Sequence, residues 1–495
     1  MANRRSLPLD VEADLWRLNP QWEGKPGPAV PAFRRWVFRR LRRLLSDGLA
    51  PATVLRGPRR VGKTVLARQL LNALLEEGTA PRRTLYLPFD EIPSLRQLAD
   101  PILSVARWFE DYVLGRSLNE AAQAGEVAYL LLDEVQNLAD WAPQLKHLVD
   151  NHDARVLVTG SSSLRIEAGR DSLAGRVTTV DVGPLLLREI AGLRFGHMAE
   201  PFWGASSHDD ASDPDFWWQA VAYSQADADL RLRAFGAFSE RGAYPIAHDR
   251  PDVPWPELAE HLIETIVRRA IHHDLRLGER GRKRDETLLE EVFRLACRYA
   301  GQTPGAAVFV PEIQQALAAN IGWNRVTNYL RFLDGAMLIR LVDPLELRLK
   351  RRKSPPKVCL SDHSLRAAWL REVIPLAPDR LRSEPHLADL AGHVAESALG
   401  YYLGSVPSLG LAHFPERGAE PEVDFVMTIG TRRIPIEVKY RRRIDPHADT
   451  LGLRAFLDKA VYNAPFGLLV TLDDGVSVPD PRIVPISLSS FLWLR

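Results

Sequence analysis

The feature that most constrains this sequence is a glycine-rich segment between a predicted strand, ATVLRG, and a predicted helix, KTVLARQLLNALLEEG. The segment matches the pattern G-x-x-x-x-G-K-[ST] in full. Its residues are Gly57, Pro58, Arg59, Arg60, Val61, Gly62, Lys63 and Thr64. Glycines let backbone N–H groups turn inward around phosphate oxygens, and the helix adds the positive end of its dipole. The segment therefore predicts a nucleotide site, in which Lys63 contacts the β- and γ-phosphates and Thr64 holds Mg²⁺.

Two adjacent carboxylates, Asp133 and Glu134, follow the apolar stretch Tyr129-Leu130-Leu131-Leu132. Asp133 is expected to hold Mg²⁺, directly or through water, and Glu134 to polarise the water that attacks the nucleotide. An acidic pair at the end of a strand can also be a solvated cap. The phosphate-binding segment upstream favours the catalytic interpretation.

Apolar strands alternate with helices as far as about Pro184, which predicts a parallel sheet covered on both faces. Gly57–Thr64 and Leu130–Glu134 together resemble the P-loop NTPases, and the order of strands and acidic pair resembles the AAA+ superfamily. The resemblance implies ATP and Mg²⁺ as cofactors. It also implies that Thr159 or Ser161 is the sensor-1 residue, and that Arg176 is an arginine finger acting on a neighbouring subunit. A salt bridge within the chain is the alternative for Arg176.

Composition limits the remaining possibilities. With 64 Lys and Arg against 63 Asp and Glu, the net charge is +1, so any nucleic-acid surface must come from local clusters. The clusters Arg348–Lys353 and Arg441–Arg443 are candidates. The two cysteines, Cys297 and Cys359, lie too far apart for a cysteine zinc site or a disulfide framework. No run of about 18 apolar residues predicts a membrane span, and a cytoplasmic protein is expected.

The sequence predicts five segments. They are an irregular lead-in (1–30), the ATPase domain (31–190), an insertion or linker with a helical lid (191–285), a winged helix-turn-helix (286–360) and a second α/β domain (361–495). Within the ATPase segment, an arginine-rich amphipathic helix is predicted from Pro31 to Leu45. The winged-helix interpretation rests on three short helical patterns followed by a strand.

In the last segment, EVDF and IEVK are joined by a predicted turn at Ile429-Gly430-Thr431 and form a hairpin. The alternation of side chains in a strand places Glu437 and Lys439 on one face, where Asp424 can meet them. Glu396 on the preceding helix can add a carboxylate. Asp424 and Glu437 are the expected metal ligands, and Lys439 is expected to stabilise developing charge.

The set Glu396, Asp424, Glu437 and Lys439 resembles the PD-(D/E)XK nuclease superfamily. The whole chain resembles a prokaryotic group of AAA-type ATPases with a nuclease-like C-terminal domain, and NPQW near the start and PPKVCLSDHSL are further matching features. The resemblance implies a homo-oligomer, possibly a ring, that couples ATP hydrolysis to action on DNA as an ATP-regulated nuclease. The alternative is an ATP-driven switch for a DNA or protein partner, with a C-terminal domain that does not cut.

Overall fold

The computed structural model describes residues 7–138, 140–160, 173–204, 209–274, 285–346, 354–416, 418 and 420–495. The chain divides into two compact units, one ending at Val182 and the other beginning at Gly183. Among the helices that the structure describes, none has both the length and the apolar composition that crossing a membrane requires.

The first unit contains a five-stranded parallel sheet with the order β2-β3-β4-β1-β5. The strands are β1 (Ala52–Arg56), β2 (Thr84–Pro88), β3 (Ala128–Asp133), β4 (Ala154–Gly160) and β5 (Val177–Asp181). The helices are α1 (Leu9–Leu18), α2 (Val37–Asp47), α3 (Lys63–Glu76), α4 (Pro101–Phe109), α5 (Leu118–Gln123) and α6 (Trp141–Asn151). The parallel sheet predicted from the alternating apolar strands is confirmed. Because β4 lies between β1 and β3, Thr159 near its end is brought between the two nucleotide-site motifs.

The prediction of an irregular lead-in is wrong for residues 9–23. Helix α1 is followed by a 3-10 turn at Pro20–Glu23, and Trp22 is buried with Trp108 at 6.1 Å between ring centroids. The Asn19 side chain donates to the Tyr86 carbonyl at 2.9 Å and accepts from the Tyr86 N–H at 2.7 Å. Asn19 thus pairs with the edge strand β2 as another strand would. Proline and glycine signals did not reveal this helix, since packing against the sheet stabilises it.

The arginine-rich helix begins at Val37 instead of Pro31. The six residues before it are held in place by side chains. The Gln69 amide donates to the carbonyls of Pro31 at 2.7 Å and Phe33 at 2.8 Å, and the buried Arg35 donates to the Val61 carbonyl at 2.9 Å. These bonds satisfy backbone groups that a longer helix would have paired, and they tie this segment to the glycine-rich loop.

The second unit begins with helices where the sequence predicted an insertion or linker with a helical lid at 191–285. They are α7 (Leu187–Phe195), α8 (Pro214–Ala226), α9 (Ala228–Arg241), α10 (Pro245–Asp249), α11 (Trp255–Leu262) and a π-helix (Ile263–Asp274). Trp203 and Trp217 are buried, and the Trp217 ring lies 5.2 Å from that of Phe491 near the C-terminus. The linker part of this prediction is therefore wrong, because these aromatic residues pack into the core of the second unit, whereas helices are present as the predicted helical part requires.

Three helices and a strand follow, in the order predicted for residues 286–360, and a second strand that was not predicted pairs antiparallel with the first. They are α12 (Glu286–Arg298), α13 (Ala306–Leu317), α14 (Trp323–Gly335), β6 (Ile339–Val342) and β7 (Lys357–Leu360). Helix α14 buries Val326, Leu330 and Leu333 against this subdomain. The basic cluster Arg348–Lys353 lies outside the described residues.

The C-terminal part has a mixed sheet with the order β12-β11-β10-β9-β8. Its strands are β8 (Gly410–Phe414), β9 (Val423–Ile429), β10 (Arg432–Lys439), β11 (Gly467–Thr471) and β12 (Ile483–Ser487). Its helices are α15 (His363–Leu370), α16 (Pro378–Ser383), α17 (Ala388–Gly404), α18 (Leu451–Leu457) and α19 (Leu488–Trp493). Strands β9 and β10 form the predicted hairpin, and Gly430 in its turn has φ +58°, a conformation that favours glycine.

Candidate functional sites

The loop between β1 and α3 has a backbone that requires its glycines. A Cβ at Gly57 would lie 2.1 Å from the Val182 carbonyl oxygen, and Gly62 has φ +94°. Arg60 also lies in the left-handed region, at φ 65°. Alternation of right- and left-handed residues turns successive N–H groups toward one side, which is the geometry of an anion-binding nest. The loop therefore fits the phosphates of a nucleotide.

The ammonium of Lys63 lies inside this loop. It is buried, and it donates to the carbonyls of Gly57 at 3.0 Å and Pro58 at 2.8 Å. These carbonyls hold the cation at the inner side of the loop, where it can exchange them for phosphate oxygens. The donor set thus fits the nucleotide that the sequence motif implies.

Asp133 ends β3 as a buried carboxylate with donors around it. The Tyr86 hydroxyl donates to its Oδ2 at 2.8 Å, the Thr159 hydroxyl donates to its Oδ1, and the Thr64 hydroxyl also bonds to it. Burial raises the pKa of Asp133 above its usual range, and the hydrogen bond from Thr159 opposes that shift. A divalent cation held by Thr64 and Asp133 would add positive charge beside this carboxylate, which also interacts with the Arg68 guanidinium.

Glu134 lies next to Asp133 and has φ 56°, in the left-handed region. Its N–H donates to the Thr159 hydroxyl oxygen at 3.1 Å, and its carboxylate contacts the Gln136 amide. Thr159 therefore bonds to both acidic residues. Ser161, the other sensor-1 candidate, lies outside the described residues.

Arg176 lies at the amino-terminal ends of the strands, opposite the carboxyl ends where the loop Gly57–Thr64 lies. Strands β1 and β5 are parallel and pair Ala52 with Val177, so Arg176 lies at the start of β5, whereas the loop follows the end of β1. The five residues of β1 separate these ends by roughly 15 Å. Arg176 is partly exposed and forms an ion pair with Asp150 at the end of α6. The salt bridge within the chain is present, and Arg176 is remote from the loop of its own chain.

Sequence reasoning missed Tyr86 and Arg68. The Arg68 guanidinium lies 5.3 Å from the centroid of the Tyr86 ring and 3.2 Å from the Glu91 carboxylate. Burial and the charge of Asp133 raise the pKa of the Tyr86 hydroxyl far above its usual range, so it remains a donor. No motif marks Tyr86, because its role arises only when β2 pairs with β3.

In the second unit, the structure brings the four predicted C-terminal residues together. The Lys439 ammonium lies 2.5 Å from Glu437 Oε1, and the Val438 N–H donates to Asp424 Oδ2 at 2.9 Å. Glu396 of α17 reaches the same cluster. Within the described residues, Glu437 Oε2 is buried and has no hydrogen-bond partner.

Lys357, which the sequence analysis did not identify, lies among these carboxylates. Its ammonium contacts Glu396, lies 3.2 Å from Asp424 Oδ1 and 3.8 Å from Glu422, and its side chain is only 2% exposed. The lysine stands in PPKVCL, a segment noted for its resemblance, but no spacing rule links it to the ExK motif. We name the set Lys357, Glu396, Asp424, Glu437 and Lys439 the C-terminal charge cluster.

The pKa shifts in the C-terminal charge cluster follow from burial and neighbouring charges. Burial raises the pKa of Asp424, but the Lys357 charge and the hydrogen bonds from Glu396 and the Val438 N–H together leave that pKa below its usual value. Burial and the Asp424 charge raise the pKa values of Glu396 and Glu437. In the part of the chain that the structure describes, no group of three or more histidine, cysteine, aspartate or glutamate side chains is spaced to hold a metal ion.

Comparison with known proteins defines the class of the first unit. Residues 50–191 match a family model described as an AAA domain. With the parallel sheet and the loop geometry, this match identifies an AAA-type ATPase domain of the P-loop class.

Among curated proteins, an uncharacterized protein of Mycobacterium tuberculosis is 32% identical over 228 residues, which are 43% of this chain and 44% of that protein. An uncharacterized protein of Methanocaldococcus jannaschii is 34% identical over 137 residues, 28% of this chain and 26% of that protein. The chain thus spans less than half the length of these curated relatives. The solved Walker-type ATPase of Pyrococcus abyssi covers 68% of this chain and 96% of its own, with 17% identity and a TM-score of 0.37. At that TM-score the likeness carries no functional conclusion.

We predict that Tyr86→Phe increases the Mg²⁺ concentration needed for half-maximal nucleotide binding by roughly 3- to 10-fold, since Asp133 loses a donor to its charged form. The pKa of Asp133 should rise further, so the increase should become larger as the pH falls and protons compete with the metal. A fluorescent ATP analogue titrated with Mg²⁺ at several pH values measures this. Tyr129→Phe, on the adjacent strand, is the matched control, and an unchanged Mg²⁺ requirement in Tyr86→Phe would contradict the assignment.

Proposed function

We propose that this protein hydrolyses ATP with Mg²⁺ and uses the nucleotide cycle to control an action of its second unit on DNA. The observation that carries the ATPase part is the convergence at the carboxyl edge of one sheet. There, the Lys63 ammonium, the Thr64 hydroxyl and the acidic pair at the end of β3 meet around one anion-binding loop.

Each of these residues has a separable task. Lys63 binds and orients phosphate oxygens, and Thr64 with Asp133 would hold Mg²⁺, which supplies charge neutralisation when it is bound. Glu134 accepts the proton of the attacking water, and Thr159 keeps both acidic residues in position through its hydroxyl group. Asp90 lies near enough to Glu134 that burial and the Glu134 charge raise the pKa of Asp90.

We predict that Glu134→Gln binds ATP as the wild type does and hydrolyses it more slowly, by a factor on the order of 10²–10⁴. The amide keeps the shape of the side chain but cannot accept the proton. Phosphate release measures turnover, and binding of a fluorescent ATP analogue measures affinity. Glu126→Gln, an exposed acid just before the same strand, is the control. Wild-type turnover in Glu134→Gln would rule out this residue as the base.

Arg176 supports the proposal that the ATPase acts as an oligomer. Arg176 lies at the end of the strands opposite the phosphate-binding loop of its own chain. Its guanidinium can therefore contact only a nucleotide bound to another subunit. Within one chain, the ion pair with Asp150 holds the Arg176 side chain at the surface. We propose a homo-oligomer in which Arg176 of one subunit stabilises the charge that develops on the nucleotide of the next subunit.

A mixing experiment tests action between subunits. Arg176→Ala should bind ATP and hydrolyse it on the order of 10³-fold more slowly, and Lys63→Ala should be inactive because its loop no longer binds phosphates. In mixed assemblies, an Arg176→Ala subunit supplies an intact phosphate-binding loop and a neighbouring Lys63→Ala subunit supplies an intact Arg176. Turnover should therefore exceed the sum of the separate rates. Mass photometry with ATP should show the assembly. No recovery in a mixed assembly would place Arg176 outside the reaction.

Two surfaces of the second unit support DNA as the partner. Helix α14 presents Asn324, Arg325, Asn328 and Arg331 on its exposed face, and these side-chain types hydrogen-bond to base edges and phosphates. The exposed Arg441–Arg443 segment follows β10, which carries Glu437 and Lys439. The order of three helices and a hairpin supports the winged-helix interpretation of residues 286–360, with α14 as the recognition helix.

A metal-dependent nuclease is the second candidate, favoured by the C-terminal charge cluster. Strands β8–β10 and β11, with α17 before them and α18 between β10 and β11, support the PD-(D/E)XK interpretation of the C-terminal part. Asp424 and Glu437 would be the metal ligands, Lys439 would stabilise developing charge, and Glu396 would be the further carboxylate. The buried, unpartnered Glu437 Oε2 is an available ligand atom. The first candidate requires none of these residues to react.

Cleavage assays separate the two candidates. If the cluster cuts, single- and double-stranded DNA should be cleaved with Mg²⁺ or Mn²⁺ and ATP. Asp424→Asn and Glu437→Gln should then abolish cleavage and leave ATP turnover unchanged. Asp389→Asn, an exposed carboxylate in the first turn of α17, is the matched control. Absence of cleavage by the wild type under all these conditions would leave the ATP-driven switch with a non-cutting C-terminal domain.

A further inference from the structure

Strand pairing holds the backbone of Lys357 in place. The position of its ammonium beside the carboxylates is therefore set by the fold. Lys357 begins β7, where it pairs with Val342 of β6. The next residue, Val358, donates to the Gln302 carbonyl at 2.9 Å and accepts from the Gly301 N–H at 2.7 Å. The strand is therefore bound on both of its edges. The side chain extends from it past the Phe425 ring, whose centroid lies 5.0 Å from the ammonium.

Both oxygens of Asp424 already have partners within the chain. Oδ1 faces the Lys357 ammonium at 3.2 Å, and Oδ2 accepts from the Val438 N–H at 2.9 Å. Glu396 is also in contact with Lys357. A divalent cation needs hard oxygen ligands at about 2.0–2.6 Å, so it would have to enter the space that the ammonium occupies. A second positive charge beside a buried ammonium is also repelled strongly, because little water screens the pair.

The lysine and the two carboxylates are all largely buried, so each depends on the others for its charged partner. Lys357 is 2% exposed, whereas the side chains of Glu396 and Asp424 are 12% and 14% exposed. A buried carboxylate without a cation is costly, and a buried lysine without an anion is equally costly. The three groups therefore stabilise one another in the absence of any metal.

We propose that Lys357 is the internal cation of the C-terminal charge cluster, which holds Glu396 and Asp424 and keeps divalent metal ions from binding there. The inference rests on the cluster of the second proposed function and regulates that same site. It stands whether or not ATP is hydrolysed in the first unit. A metal can use Asp424 only after the ammonium has left.

Removal of the ammonium should therefore create metal affinity. Lys357→Met keeps the length and the apolar stem of the side chain without its charge. By calorimetry on the full chain without nucleotide, MnCl₂ should bind Lys357→Met at least on the order of tenfold more tightly than it binds the wild type. Asp424→Asn added to Lys357→Met should abolish the gain. Lys459→Met, an exposed lysine of the same unit, should show no gain.

The wild type provides a test that needs no lysine variant. Asp424→Asn in an otherwise wild-type chain should leave Mn²⁺ binding unchanged, because Lys357 already excludes the metal. If Lys357→Met fails to fold by circular dichroism, Lys357→Met/Glu396→Gln, which removes one charge of each sign, replaces it.

Tight Mn²⁺ binding by the wild type that is lost in Asp424→Asn would overturn the proposal, as would equal binding by the wild type and Lys357→Met. These outcomes are distinct from failure of the nuclease candidate, which is the absence of DNA cleavage by the wild type with Mg²⁺ or Mn²⁺ and ATP.

Discussion

The buried carboxylate of Asp133 is the interaction on which the nucleotide site depends. It receives hydrogen bonds from β2 through Tyr86, from β4 through Thr159 and from the start of α3 through Thr64. A carboxylate this deep in the sheet is stable only when donors surround it, so its charge determines how these elements meet. The Asn19 amide, bonded to both backbone groups of Tyr86, extends the same network to the first helix of the chain.

In the C-terminal charge cluster, buried carboxylates are stabilised by a cation of the chain instead of by hydroxyl donors. Asp133 has hydroxyl donors, so its charge remains available to a cation from outside. Asp424 and Glu396 instead share the Lys357 ammonium, so a cation of the chain itself already lies beside both carboxylates. Two acidic sites in one protein can thus differ in metal binding although both contain buried carboxylates, because the charge of the nearest buried neighbour differs.

How far the sequence predicted these sites depends on whether their residues are adjacent or distant in the chain. The loop Gly57–Thr64, the acidic pair and the β9–β10 hairpin were predicted from local patterns, because turns and strand alternation depend on neighbouring residues. Tyr86 and Lys357 were not predicted, since each acts on a carboxylate that lies tens of residues away. The lead-in and the linker were predicted wrongly for the same reason. The helical segments that contain Trp22 and Trp217 are stabilised by packing against residues distant in the chain.

The sequence by itself determined the phosphate-binding loop, the acidic residues beside it and the alternation that produces a parallel sheet, since each is encoded in contiguous residues. Only the tertiary structure decided which groups complete those sites. Strand order brought Thr159 between the motifs and left Arg176 on the far edge, and the pairing of β7 with β6 brought Lys357 into the carboxylates. Burial then determined the charge of each site, because the cost of an unpaired ion depends on what surrounds it in space.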